Sequence, residues 1–476
     1  MPYRIVEIEI TQPLPIISLS ENETGIAILL RRKGKPIAFW MEPLPANAEF
    51  TPEDLSRRII DKADIKLLGE GIREELAPPV KPARFPSVTV AICTKDRPEH
   101  LAHCLNSLRA LQPLASCGTA SLKILVVDNA PSNECTRDLV ASQPEVLYTC
   151  EPRPGLDFAR NRAIREATGE LLAFLDDDVT VDHCWLTGLM EAWAENPDAA
   201  AFTGLVLPYE LVTEAQIIFE KRGGFRRGFE KIRYHGQTIP ENSFYPCASG
   251  IFGAGANMAF RRDILLKLGG FDEALDTGSP LPGGGDLDIW YRVIRAGYPL
   301  VYEPQYMVFH QHRRELEALR RQYWSWGSGL MAFMAKHYKT DSFQRPKLRR
   351  LVWWWFKNQL RQFQRSLRGC HALPPSMIFA ELSGGVIGLL GEYSRSVKRV
   401  EQIRKRFAAE TTTLHIEKIA NNNSQLSFPQ AERVGNPSGN TERFRTSWND
   451  KMANESGFIN DHLSNQDGPK RNGTTN

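Results

Sequence analysis

From Ser87 to Asp178 short apolar runs alternate with amphipathic stretches, and this alternation narrows the possible folds more than any other feature of the chain. Residues 88–93, 122–127, 146–149 and 171–175 are bounded by turn formers and too short for helices, so they read as strands. Between the first two, Leu101, Cys104, Leu105, Leu108 and Leu111 recur at helical spacing, and Pro98 falls in the first turn, where its missing N–H costs nothing. A second helix is expected over about 157–167, ending at Gly169. Strands and helices in this order build an α/β domain around a mostly parallel sheet with helices on both faces, and ligands bind at the carboxyl ends of its strands.

Those strand ends carry acids. The run 171–175 stops in Asp176, Asp177 and Asp178. Three adjacent like charges repel when they are buried beside a strand end unless a cation is supplied. Hard oxygen ligands favour Mg2+ or Mn2+, with diphosphate oxygens completing the shell. The competing reading is a solvated acidic turn in which Asp182 or a neighbour caps a helix. Asp128 ends the second strand and Asp96 follows the first. Each alone reads as a turn or cap residue, but together they would converge on one sheet edge, where acceptors grip the N–H and O–H groups of a nucleotide.

Six runs in a fixed order sharpen this expectation: VTVAICTKDRP from Val88, VVDN from Val126, GLDFARN from Gly155, FLDDD from Phe174, GANMAFR from Gly255 and GDLDIWYR from Gly285. Over about 87–314 the series resembles that of family 2 glycosyltransferases. The resemblance implies a GT-A fold and an inverting, metal-dependent transfer from a nucleoside-diphosphate sugar, a UDP-sugar first among them. The implied acceptor is the hydroxyl of a glycan or lipid-linked glycan, as in polysaccharide or cell-wall biosynthesis. It places Asp96 and Asp128 on the base or ribose, Thr94 among the donor-binding residues, and Arg160 and Asn161 along the donor pocket. Asp176 and Asp177 would meet the donor, Asp176 and Asp178 would hold Mg2+ or Mn2+ with Asp178 as the direct ligand, and His310 would join them ahead of His312. Asp286 would be the general base, although Gly285 stands where the family has Glu; Asp288 reads as a helix cap. Gly283, Gly284 and Gly285 suggest a loop able to close over the donor. In RRQYW from Arg320, Tyr323 replaces the arginine that processive synthases need, so single-sugar addition is expected.

Outside this core, residues 1–82 alternate apolar and polar positions and read as a small β-rich module with a helix near 52–75 and a proline-rich linker at 77–82. The catalytic domain is expected over 83–339, a basic, Trp-rich helical extension over 340–410, and a disordered tail over 411–476. In the extension eight basic residues from Arg345 to Arg368 surround Trp353, Trp354, Trp355 and Phe356 with no acid among them. Peripheral contact with an anionic membrane through 345–370 is one reading. Packing of the tryptophans onto the catalytic domain is the other, and it is preferred because a second apolar helix over 376–393 can cover them.

A net charge of +3 excludes a nucleic-acid partner bound over the whole surface. Eight scattered cysteines without a Cys-x-x-Cys pair, and an N-terminus without a basic-then-apolar leader, point to a reduced, cytoplasmic protein, peripheral at most at the inner face of the membrane. Two other functions compete: a GT-A-fold binding or scaffold protein without turnover, and a nucleotidyltransferase. The latter expects a glycine-bearing phosphate loop where this chain has Thr94, Lys95, Asp96 and Arg97.

Overall fold

The computed structural model describes residues 2–76, 85–111, 122–236, 239, 242–278, 281–369 and 373–424, with side chains to 409. The expected linker at 77–82 lies outside the described residues, as does the expected tail of 411–476 beyond residue 424; over 411–424 the expectation fails, because the chain continues the helix Tyr393–Ser424.

The N-terminal strands β1 (Tyr3–Glu9), β2 (Gly25–Arg32) and β3 (Lys35–Pro43) form a three-stranded sheet covered by helix α1 (Pro52–Leu76). Leu55, Ile59 and Ala63 on one stripe of α1 pack with Ile26, Ile28 and Leu30 of β2. The module is tied to the larger sheet by a buried ion pair from Arg31 to Asp182 at 2.6 Å. Asp182, a candidate cap in the sequence, is thus a docking residue as well; its Oδ1 also accepts from the Cys184 N–H.

The larger sheet is built from β4 (Val88–Thr94), β5 (Leu122–Asn129), β6 (Val146–Glu151), β7 (Leu171–Leu175), β8 (Val179–Val181), β9 (Ala201–Pro208), β10 (Asn257–Arg261) and β11 (Leu300–His310), in the order β8-β11-β9-β10-β7-β4-β5-β6. Strands β7, β4, β5 and β6 are mutually parallel. β10 runs against both its neighbours, so β9 and β11 again point the same way as β7. The carboxyl ends of β4, β5, β7 and β11 therefore share one edge.

Alternation along β7 explains why both faces are covered. Leu172 and Phe174 join Ala159 and Ala163 of helix α2 (Leu156–Glu166) in one core. Leu171, Ala173 and Leu175 meet Leu101, Cys104, Leu105 and Leu108 of the helix Pro98–Arg109 in the other. Such a strand, apolar on both faces, leaves polar groups only where it ends.

Beyond the sheet come α3 (Gly285–Arg295), α4 (Leu316–Thr340), α5 (Arg345–Leu367), α6 (Pro375–Ile387) and α7 (Tyr393–Ser424). α6 lies directly on α4: a Cβ on Gly327 or Gly384 would run into the facing backbone, so glycine permits the approach. Asp288, read as a cap, instead sits buried inside α3 and binds Arg292 at 2.6 Å and His337 of α4 at 2.8 Å. It fastens α3 to α4, and hydrogen bonding to His337 with the Arg292 and Lys336 charges outweighs burial to hold its carboxyl far below the usual range.

Candidate active site

The shared edge opens into a cavity of about 570 Å³ lined by Thr94, Arg97, Asp176 to Asp178, Asp276, Arg313 and Arg399. Its size falls in the range of small-ligand sites, roughly 300–1,000 Å³.

The three consecutive acids have separate environments. Asp177 is committed to the protein: its carboxylate accepts from Thr94 Oγ1 at 2.7 Å and from Arg97 Nη1 at 2.5 Å. Asp178 accepts from Arg97 Nη2 at 2.9 Å through Oδ2, with Arg313 at 3.7 Å, while its buried Oδ1 has no hydrogen-bond donor. Asp176 is half-buried at the cavity wall. Burial pushes Asp176 up to about 7, with the Asp178 charge adding to it, and pushes Asp177 up to about 6. Burial also acts on Asp178, but His310, Arg97 and Arg313 override it and hold the carboxyl at about 2.

His310 ends β11, and its Nε2 lies 3.2 Å from the orphaned Asp178 Oδ1. Its other nitrogen, Nδ1, is 3.1 Å from His312 Nδ1, and His312 Nε2 is 2.8 Å from Glu220 Oε1. A carboxylate stands at each end of this row, Glu220 and Asp178, and the tautomer follows from which of them accepts. With Glu220 Oε1 accepting from His312 Nε2–H, His312 Nδ1 accepts from His310 Nδ1–H and His310 Nε2 turns a lone pair toward Asp178 Oδ1. Burial lowers His310 to about 4, so it is neutral at ordinary pH. In that tautomer two acceptors, His310 Nε2 and Asp178 Oδ1, face each other at 3.2 Å, an arrangement that a cation would satisfy. Donor atoms of Asp176, Asp178 and His310 all lie within 4.8 Å of one another. An oxygen-rich set with one imidazole suits Mn2+ or Mg2+, and the row behind His310 orients it as outer-shell partners orient metal-binding histidines.

The remaining candidates divide. Asp128 is fully buried at the end of β5; Tyr148 donates to Oδ2 at 3.0 Å, and Oδ1 is left without a donor. Burial raises its pKa. Arg160 is buried, pairs with Asp157 at 3.0 Å and Asp276 at 3.7 Å, and feels the charges of Asp176 and Asp286. Asp286 Oδ1 accepts from the Leu287 N–H at 2.8 Å. Its Oδ2 lies beside Gly255 with Arg160 Nη2: a Cβ on that glycine would be 3.0 and 3.4 Å from them. Two expected donor contacts point elsewhere. Asn161 spends its amide on Phe271 and Glu273, pinning the 271–273 turn, so it supports the pocket from behind. Asp96 is exposed and accepts from the Ser132 N–H at 2.9 Å, bracing the loop after β5.

Sequence reasoning passed over Arg97, Glu220, Asp276 and Arg399. Arg97 stands next to Asp96 in a run already singled out; the others come from distant segments with no local pattern around them.

The profile of the family described as Glycosyl transferase family 2 matches residues 89–269, the stretch that supplies β4, β5, β7 and the three acids. Residues 89–269 belong to glycosyl transferase family 2. Relatives of the family 2 domain include a glucosyl-dolichyl phosphate glucuronosyltransferase of Haloferax volcanii, 25% identical over 50% of this chain and 74% of its own length. The succinoglycan biosynthesis protein ExoM of Rhizobium meliloti is 37% identical over 46% of this chain and 64% of its own. The pre-mycofactocin glycosyltransferase of Mycobacterium tuberculosis is 26% identical over 50% of this chain and 45% of its own. Among solved structures, a mannosyltransferase from Pyrobaculum calidifontis in complex with GDP-Man and Mn2+ aligns with a TM-score of 0.36 and 16% identity, covering 73% of this chain and 87% of that one.

Proposed function

We propose that the chain moves a single sugar from a nucleoside-diphosphate sugar to a hydroxyl of a glycan or lipid-linked glycan, with inversion at the anomeric carbon. The observation that carries this reading is the facing pair of acceptors, Asp178 Oδ1 and His310 Nε2, 3.2 Å apart at the rim of a nucleotide-sized cavity. Asp176, Asp178 and His310 would hold Mn2+ or Mg2+, which when bound offsets the charge that develops on a leaving diphosphate. Arg313, 3.7 Å from Asp178, and Arg399 line the same cavity and would meet the same charge. The orphaned Asp128 Oδ1 suits a base N–H, for which a UDP-sugar is the first donor to try. Asp286 takes the proton of the acceptor hydroxyl.

Titration calorimetry with a panel of nucleotide sugars, with and without Mn2+, tests this directly. One donor should bind only when the metal is present. Protons compete with metal for Asp176, which burial pushes up to about 7. Metal affinity should therefore be full well above pH 7 and fall below it by on the order of tenfold per unit for the one proton displaced. Metal-independent binding of every donor would remove the central claim.

The outer face of α5 bears on where the acceptor is met. Trp355 is buried, as the packing reading expects, yet Trp353 and Trp354 are 65% and 46% exposed. Leu360 and Leu367 extend the apolar strip, and Phe379 of α6 continues it beside Phe363. Arg349, Arg350, Lys357 and Arg361 on this exposed side have no acid near them in α5. No helix among the described residues is long and apolar enough to cross a membrane. Indoles at an interface with arginines among phosphates fit a peripheral contact with an anionic bilayer. The protein should sediment with phosphatidylserine vesicles and not with phosphatidylcholine alone, and the Trp353→Ala, Trp354→Ala pair should release it. Equal binding to both vesicle types would rule the contact out.

A further inference from the structure

One buried acid has no part in the scheme above. Asp157 lies in the first turn of α2, fully enclosed. Its Oδ1 accepts from Arg160 Nη1 at 3.0 Å, and its Oδ2 has no hydrogen-bond donor. The carboxyl group stands against the backbone of Gly285. A Cβ built there would be 2.7 Å from Asp157 Cγ and 2.8 Å from Oδ1, so no larger residue fits at 285 while Asp157 keeps its place. Gly285 is the first residue of α3 and Asp286 the second, and the N-cap position is Gly284, which has no side chain to cap the helix. Asp157 thus sets a carboxyl group from another element against the first residue of α3, with Arg160 as its donor. The Arg160 it holds is the same guanidinium that reaches Asp276 and shares the space above Gly255 with Asp286.

We propose that Asp157 is a positioning residue, supplying from α2 the carboxyl group that a side chain at 285 would otherwise bring, and so fixing Arg160 and the start of α3 with Asp286 turned toward the acceptor. This deepens the proposed function and rests on Asp286 as the base. It also accounts for Gly285 in the run GDLDIWYR: the acid is present in space, though not in that stretch of sequence.

The test moves the acid across. In the full-length protein with Mn2+ and its donor, Asp157→Ala should lower kcat on the order of 10- to 100-fold, as loss of supporting partners does, with donor KM unchanged. Gly285→Glu alone should lower Tm, because two side chains then claim one volume. Joined as Asp157→Ala/Gly285→Glu, the changes should restore both Tm and most of kcat. Asp157→Ala/Gly285→Met, similar in volume and without the acid, should restore Tm only. That comparison holds even where a single variant folds poorly, since both pairs fill the space. Equal kcat for the Glu and Met pairs, or parental kcat for Asp157→Ala, overturns the proposal. Parental transfer by Asp286→Asn would instead defeat the base assignment, so the two failures are distinguishable.

Discussion

Asp178→Ala is expected to abolish metal-dependent donor binding and to reduce transfer by about a thousandfold or more. The argument follows from what surrounds that carboxylate. Asp178 is the acid among the three whose Oδ1 has no donor and lies 3.2 Å from His310 Nε2. Removing it leaves His310 with nothing opposite, Arg97 with Asp177 alone, and Asp176 as the remaining carboxylate of the set. Charge neutralisation by a bound divalent ion is worth several kcal/mol in a transition state, and each 1.36 kcal/mol is about tenfold in rate. Asp177→Asn is the contrast: Thr94 and Arg97 already occupy its oxygens, so its loss should disturb the loop and leave metal binding in place. Calorimetry with Mn2+ on the two variants separates them. Parental metal affinity in Asp178→Ala would mean the ion is held elsewhere.

The strand-helix alternation announced the sheet because its central strands Val88–Thr94, Leu122–Asn129 and Leu171–Leu175 are buried over most of their length and largely apolar, and such runs are visible without neighbours. The acids at 176–178 were legible for the same reason: polarity returns abruptly where the strand ends. The path of β10, which runs against both its neighbours, was not legible, since an apolar run is silent about direction. The loop-bracing bonds of Asn161 and Asp96 were not legible because a motif residue that supports a loop and one that touches a ligand look alike in sequence; the turns at 271–273 and after β5 reveal the bracing. The row from Glu220 through His312 to His310 joins residues some ninety positions apart, and no spacing rule reaches that far. The tryptophans divided as neither reading alone foresaw, because a helix of 23 residues has a face for the core and another for solvent.

Asp286→Asn is expected to leave donor affinity intact and to lower kcat by on the order of 10²- to 10⁴-fold, the usual worth of a general base. Asparagine matches aspartate in size, and its amide oxygen can still accept from the Leu287 N–H that now holds Oδ1 at 2.8 Å. What disappears is the basicity of Oδ2, the oxygen beside Gly255 and Arg160. Because Asp286 is not among the acids that line the cavity with Asp176 to Asp178, the donor and its metal should bind as before. A single-turnover measurement with donor preloaded isolates the step, since binding is then complete before acceptor is added. The opposite split, weakened donor binding with turnover per bound donor unchanged, would assign Asp286 to the donor and leave the acceptor hydroxyl without a base at the start of α3.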